Sequence, residues 1–313
     1  MEACNNKGAK DPHPSPPPEY RERGKMRSCS CTASMKPLAI IAAVLALVSR
    51  PVQGEIKTDV EYGKAGDVSL KLDANVPDGA GPFPVAILVH GGGWAIGDKA
   101  GLYHIPTDAL TKAQFAWFSI NYRMPPKNLW PACFEDVQTA IRWVKAHAAE
   151  YKGDPNRIAL VGYSAGGHLV CLAATLAEED TRVQAVVGMS PPTDLEFDLA
   201  TRGGLSTSLQ HLLDRPKEVT DESRKILHEM SAINHVKPGL PPFLLMQGDA
   251  DKSVPYQATL NFQAKLTANG VPCDLVTLKG APHDIRKWDP FDPNFQQELT
   301  DWLVKTLGAT TRP

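Results

Sequence analysis

The sequence predicts a doubly wound, mostly parallel α/β sheet with a small helical cap, and three observations carry that expectation. Continuous apolar runs recur at Val85–Val89, Phe115–Ile120, Ile158–Val161, Val183–Met189, Phe243–Met246 and Leu275–Leu278, and strands apolar on both faces suit a parallel sheet covered on both sides. Segments of helical period separate several of these runs, the alternation that a doubly wound sheet requires. Glycine-rich turns follow some of the runs, at the carboxyl ends of strands where such a sheet places its ligands.

The first 54 residues stand apart from this pattern. Residues 1–34 hold the Pro-rich stretch Pro12–Pro18 and three of the six cysteines, Cys4, Cys29 and Cys31, a composition that cannot bury a core. Met35-Lys36 then leads into the apolar run Leu38–Val48 and into Val52-Gln53-Gly54, with short side chains at both positions that precede a cleavable bond. This reads as a secretory signal peptide, with a mature chain that starts near Glu55 and is secreted or periplasmic. The apolar run is well short of the ~20 residues that span a bilayer, so no stable membrane insertion is expected after processing. Residues 55–313 are of a size for one α/β domain, with the cap inserted near 194–240.

Composition narrows the function. The 313 residues are 42% hydrophobic and 22% charged, with 33 basic against 35 acidic side chains, which is ordinary for a globular protein. A net charge of −2 supplies no basic stripe, and no nucleic-acid-binding motif appears. Beyond the leader remain Cys133, Cys171 and Cys273, which allow at most one disulfide, and no C-x-x-C or Cys/His cluster points to zinc. No metal or cofactor is expected.

In chain order, Asp59–Tyr62 and Asp67–Leu72 alternate with period two around the Gly63–Gly66 turn, as an antiparallel hairpin at a sheet edge does. Pro131–Glu150 has helical period, with Val137, Ala140, Ile141, Val144 and Ala148 in one stripe and Pro131 at a favoured first-turn position. Between Asp194 and Leu240 the sheet pattern stops. Leu205–Leu213 and Asp221–Met230 have helical character and would form a cap over the strand ends.

Four turns carry the chemistry. Gly162-Tyr163-Ser164-Ala165-Gly166-Gly167 lies between a strand-like run and a helix-favouring run, and its glycines permit the strained turn that projects a nucleophilic Ser164. His90-Gly91-Gly92-Gly93-Trp94 follows a buried strand, so the N–H groups of Gly92, Gly93 and Ala165 are candidates to stabilise an oxyanion. Gln247–Pro255 offers two acids, Asp249 and Asp251, and spacing alone does not choose between them. Gly280-Ala281-Pro282-His283 offers the base. His168, one turn into the helix, reads as a packing residue because it points away from the serine hydroxyl. Asp136 reads as a structural acceptor and Lys252 as a solvated charge, while Trp94 and Tyr122 are candidates either for the alcohol pocket or for buried packing.

With these motifs in order, together with Asn121-Tyr122-Arg123, Pro131-Ala132 and Asp136, the chain from about Asp73 onward resembles an α/β-hydrolase esterase of the group that includes hormone-sensitive-lipase-like enzymes and bacterial feruloyl or acetyl esterases. The resemblance implies a Ser164, Asp251, His283 triad with an oxyanion hole at Gly92, Gly93 and Ala165. Joined to the leader, this gives an exported serine carboxylic ester hydrolase; a short cap without a long apolar face suggests short-chain acyl esters, and export suggests small-molecule or plant-polysaccharide-linked esters as targets. Gln247 departs from the histidine often found before that glycine, a change read as of little consequence, and Asp284 departs from the small or apolar residue common after the base, which puts an extra charge beside it. The rival readings are an arylformamidase-like amidohydrolase, a peptidase of the same fold, and a non-catalytic binding protein on a hydrolase scaffold. Export weighs against the first and the lack of an N-terminal propeller against the second. The third predicts erosion of a triad or oxyanion position, and the sequence shows none.

Overall fold

The computed structural model describes residues 54–101 and 107–308; the stretch expected to be a leader with a signal segment lies outside them. The described chain runs β1 (Glu55–Ala65), β2 (Val68–Val76), β3 (Phe83–Val89), α1 (Thr107–Lys112), β4 (Ala116–Ile120), α2 (Ala132–His147), β5 (Gly153–Tyr163) and α3 (Ala165–Thr175). It continues with β6 (Ala185–Met189), α4 (Leu195–Arg202), α5 (Thr207–Leu213), α6 (Asp221–Met230), β7 (Phe243–Gly248), α7 (Tyr256–Ala268), β8 (Cys273–Leu278) and α8 (Phe295–Leu307). The strands form one sheet in the order β1-β2-β4-β3-β5-β6-β7-β8, parallel from β4 to β8 and antiparallel where β2 meets β1 and β4.

Alternation along each strand divides the core between two faces. Val85, Ile87 and Val89 of β3 pack with Ile141 of α2, Leu169 of α3 and Phe262 of α7. Ala86 and Leu88, between them in sequence, pack instead with Leu110 of α1 and with Leu299 and Leu303 of α8. Both faces of the central strands are therefore dry, which is why β3 reads as an uninterrupted apolar run. The stripe from Val137 to Ala148 is wholly buried, and each aliphatic side chain of that size stabilises by roughly 1.5–3 kcal/mol. No helix among the described residues is long and apolar enough to cross a membrane.

The structure corrects the expected pattern in four places. The hairpin strands are longer than their alternating stretches, because β1 and β2 pair from Glu55 with Val76 to Ala65 with Val68. Pro131 sits at the N-cap of α2, one position before the first turn, and the helix tightens into a 3₁₀ turn at Ala148–Tyr151. The cap holds a third helix, α4, started by the Asp194 carboxylate accepting from the Phe197 N–H and stopped by Gly203 at φ 65°. Finally, β8 is not covered on both sides: it is the sheet edge, where only Leu278 is buried while Leu275 and Val276 are half-buried.

Two carboxylates away from the strand ends hold the frame. Asp136 is buried and accepts from the backbone N–H of Arg123 at 2.7 Å and from its Nε at 3.0 Å, fixing the segment after β4 to α2. Asp73 of β2 receives Lys99 at 2.7 Å and the Asp59 N–H at 2.9 Å. Cys133, Cys171 and Cys273 are free thiols. Burial pushes the Cys133 thiol up to about 12, so it stays protonated and behaves as a small apolar side chain.

Candidate active site

The turn after β5 forces Ser164 to φ 53° and ψ −117°, a strain of about 1–3 kcal/mol for a side-chain-bearing residue. Steric limits explain the glycines around it. A Cβ on Gly162 would lie 2.3 Å from the carbonyl oxygen of Gly166, and one on Gly166 would lie 2.0 Å from that of Val89. Backbone bonds hold the strained residue in place, Ser164 N–H to the Met189 carbonyl at 2.8 Å and His168 N–H to the Ser164 carbonyl at 2.9 Å.

The structure brings Ser164, His283 and Asp251 together. Ser164 Oγ lies 2.9 Å from His283 Nε2, and His283 Nδ1 lies 2.7 Å from Asp251 Oδ2. The Asp251 side chain has no exposure and His283 keeps 20%. Burial alone would push the Asp251 carboxyl up, but the bond and charge of His283 and the N–H groups of Val254 and Ser253 outweigh it and hold the group below its usual range. The other acid takes a different place: Asp249 Oδ1 accepts from the Gly280 N–H at 2.5 Å, joining the turn after β7 to the turn that carries His283. Asp284 faces Arg286, which donates to it from Nε and Nη2, both at 2.8 Å. Its charge is spent there, and Arg286 holds its carboxyl below the usual range.

Gly92, Gly93 and Ala165 line the same cavity as Ser164 and His283, a space of about 480 Å³. At Gly92, φ is 118° and a Cβ would stand 2.0 Å from the Ile96 carbonyl oxygen, so the loop turns there only without a side chain. Trp94 borders the cavity and is also buried; its indole donates to His168 Nδ1 at 3.2 Å. Tyr122 does not border the cavity. Its ring stacks on His90 at 4.4 Å and its hydroxyl donates to the His90 carbonyl at 3.1 Å, so it props the glycine loop at its first residue. From the cap, Leu195, Asp198 and Arg202 reach the cavity, with exposed Lys252 on the opposite rim.

Two features went unread in the sequence, and a third was noted there only as a departure. Tyr163 donates its hydroxyl to the His283 carbonyl at 2.8 Å, steadying the base from the variable position of the elbow motif. Arg202 pairs with Asp198 at 2.7 Å and also donates to the Ser253 carbonyl, bridging the cap and the loop of Asp251 from a helix marked in sequence by its caps alone. Gln247 is fully buried and its Nε2 lies 3.1 Å from Asp251 Oδ2. Its departure from a common histidine was the available signal. Chemically, a hydroxyl backed by an imidazole and a carboxylate, facing a concave space edged by the glycine loop and Ala165, suits attack on an acyl carbon with backbone donors for the resulting oxyanion close by.

The match to the BD-FAE family model spans residues 72–266. The chain belongs to the BD-FAE family. The matched stretch contains the glycine loop, Ser164 and Asp251 and ends inside α7, before His283. The chain is 34% identical over 218 residues to the probable carboxylic ester hydrolase LipM of Mycobacterium tuberculosis, covering 66% of this chain and 50% of that protein. It spans about half the length of LipM and of the mycobacterial esterases LipC and LipQ, which it also matches. Among solved structures, a truncated carbohydrate esterase from gut microbiota superposes with TM-score 0.72 at 26% identity, over 82% of this chain and 97% of that one. The butyrate-bound esterase 2 of Thermogutta terrifontis gives 0.66 at 26% identity, over 83% and 96%. The sheet and flanking helices are those of α/β-hydrolase esterases, and this BD-FAE chain shares their architecture.

His168 ties the site to the cap, since its Nε2–H donates to the Met230 carbonyl of α6 at 2.8 Å while Nδ1 receives Trp94. Burial, partly offset by that carbonyl, lowers its pKa to about 4. A folded value below the unfolded ~6.5 means that this stability is fully present above pH ~6.5 and is lost as pH falls toward 4, in all about 3 kcal/mol. Urea unfolding of the wild type should weaken across that window, and His168→Gln, which does not titrate, should show a shallower slope. Equal slopes in the two proteins would refute the assignment.

Proposed function

We propose that the protein is a serine carboxylic ester hydrolase that works through an acyl-enzyme. The observation that carries this reading is the continuous hydrogen-bond path from Ser164 Oγ through His283 to the buried Asp251, opening into a cavity edged by Gly92, Gly93 and Ala165. Ser164 Oγ attacks the ester carbon while His283 Nε2 takes its proton, and Asp251 stabilises the imidazolium on Nδ1. The oxyanion is received by the N–H groups of the glycine loop and of Ala165, each such donor being worth about 3–4 kcal/mol in the barrier. The proton then passes to the leaving alcohol as its bond to the acyl carbon breaks. Water, deprotonated by the same histidine, releases the acid and restores Ser164.

Mutation tests the roles. Ser164→Ala should lower kcat about 10⁶-fold. Asp251→Asn should lower it about 10⁴-fold, the loss a serine protease suffers when its histidine takes the wrong tautomer. Asp249→Asn should lose thermal stability more than turnover, because its carboxylate closes a turn. An inactive Asp249→Asn beside an active Asp251→Asn would reverse the assignment.

Short acyl groups fit the reading, because the cavity is bounded by cap helices bearing Asp198, Arg202 and serines and not by a long apolar face. The neighbouring Thermogutta esterase was solved with butyrate. Acetyl or feruloyl groups on plant polysaccharide are the natural substrate we propose, supported by the carbohydrate esterase that superposes at 26% identity. Activity on p-nitrophenyl esters should peak between acetyl and butyryl, and acetylated xylan or feruloylated fragments should release acid. A maximum at chains of about twelve carbons or more would remove the first claim, and no acid from xylan fragments the second. Export completes the reading on the strength of Leu38–Val48 and Val52-Gln53-Gly54. N-terminal sequencing should place the mature start within a few residues of Glu55, and a membrane-bound product retaining Leu38–Val48 would contradict it.

A further inference from the structure

Every hydrogen-bonding atom of the buried Gln247 amide is engaged. Nε2 donates to Asp251 Oδ2 at 3.1 Å and to the Val254 carbonyl at 2.9 Å, and Oε1 accepts from the Thr259 hydroxyl of α7 at 2.5 Å. These partners fix which way the amide faces. Turned over, it would set Oε1 against a carboxylate and a carbonyl with no proton among the three oxygens. Thr259 is buried as well, so water does not substitute for its hydroxyl.

The two oxygens of Asp251 are held differently. Oδ1 accepts the N–H groups of Ser253 at 2.7 Å and Val254 at 2.9 Å, whereas Oδ2 is shared between His283 Nδ1 and Gln247 Nε2. A carboxylate without exposure depends on such donors for its charge. The grip on Oδ2 therefore decides both where that oxygen sits and how much negative charge the imidazole meets. The titratable and charged groups near it are His283 itself, Lys252 beside Asp251 in the loop, the Arg202–Asp198 pair of α4, whose Arg202 donates to the Ser253 carbonyl, and Asp284 next to His283, paired with Arg286; from α7 the neutral Thr259 bonds the amide.

We propose that Gln247 is a positioning residue for the Ser164 reaction, one that, braced by Thr259, holds Asp251 Oδ2 in line with His283 Nδ1 and tempers the charge it presents. The proposal rests on the ester-hydrolase reading of the triad. Gln247 does not border the cavity, so it acts through Asp251 and His283 without touching substrate. An amide suits the position for a physical reason. A methionine removes one of the two side-chain donors to Asp251 Oδ2, takes this donor from the Val254 carbonyl and leaves the Thr259 hydroxyl without its acceptor, whereas an ionised glutamate sets a second negative charge beside Asp251.

The test is steady-state hydrolysis of p-nitrophenyl acetate across pH by the full chain and five variants, each with its thermal midpoint. Gln247→Met should lower kcat about 10- to 100-fold, the loss of one hydrogen bond to a charged group, with KM within about twofold. Gln247→Glu should move the acid limb of the kcat/KM profile upward by about one pH unit, because added negative charge favours the protonated imidazole, which is idle as a base. Thr259→Val should reproduce part of the Gln247→Met loss, and Thr259→Ser, which keeps the hydroxyl, should retain wild-type kcat. A folded Gln247→Met or Thr259→Val enzyme with wild-type kcat, or an unmoved acid limb in Gln247→Glu, overturns the proposal. If Gln247→Met fails to fold, the Gln247→Glu profile and the Thr259 pair decide. Wild-type turnover that vanishes in Ser164→Ala separates the claims: without it both readings fall, and with it but with unaltered variants only the role of Gln247 falls.

Discussion

A side chain of any size at position 166 would set its first carbon 2.0 Å from the carbonyl oxygen of Val89 and 2.5 Å from that of His90. This close approach between the first turn of α3 and the end of β3 is the constraint on which the rest of the site depends. It lets the serine turn and the glycine loop, which leave two adjacent parallel strands, share one cavity wall. Because hydrogen-bonded strands are spaced at ~4.8 Å, two loops rising from neighbouring ends meet only if nothing bulky separates them. The serine hydroxyl and the glycine loop are thus neighbours by virtue of the backbone, before any side chain is chosen.

The opposite wall is built from β7 and β8, and its order is set by polar groups. A carboxylate out of contact with water is costly unless it is fully hydrogen-bonded. Asp251 meets that condition with two backbone donors and two side-chain donors. The base is held as tightly from its own backbone, through Tyr163 on one side and the Asp249 bond to Gly280 on the other. Strain at Ser164 persists because the groups around it leave no alternative. Rigidity of this kind is what a preorganised acyl-transfer site needs, since a misplacement of about 1 Å can cost a hundredfold in rate.

How much of this was legible in the sequence follows from which features are local. The strands of the sheet centre and the long helix were readable because their burial imposes a period, in Val85–Val89 as a run and in Val137–Ala148 as a stripe. The glycine motifs were readable because close backbone approach admits no other residue. The half-exposed β8 was misread because an edge strand can carry the same apolar letters as a central one. The helix α4 escaped notice because eight residues of mixed polarity are started and stopped by their caps, Asp194 and Gly203, more than by period. Tyr122 was left between pocket and packing because both uses ask for the same side chain. The choice is made by the His90 carbonyl, reached across 32 positions of chain. Gln247 went unvalued for the same reason: its partners Asp251, Val254 and Thr259 are gathered by the fold of the loop and of α7.

The bridge from Arg202 to the Ser253 carbonyl has a consequence for anyone who would exchange modules among such proteins. The segment from 194 to 240 looks separable, since it enters after β6 and returns to β7 without contributing a strand. Yet one of its guanidinium donors is already committed to the loop that ends in Pro255, two residues beyond the carbonyl it binds. A transplanted insert would have to bring its own donor for that oxygen, or surrender the oxygen to solvent and loosen the stretch beside Asp251. The insert and the acid loop are best treated as a single graftable unit, with its boundary drawn at α7.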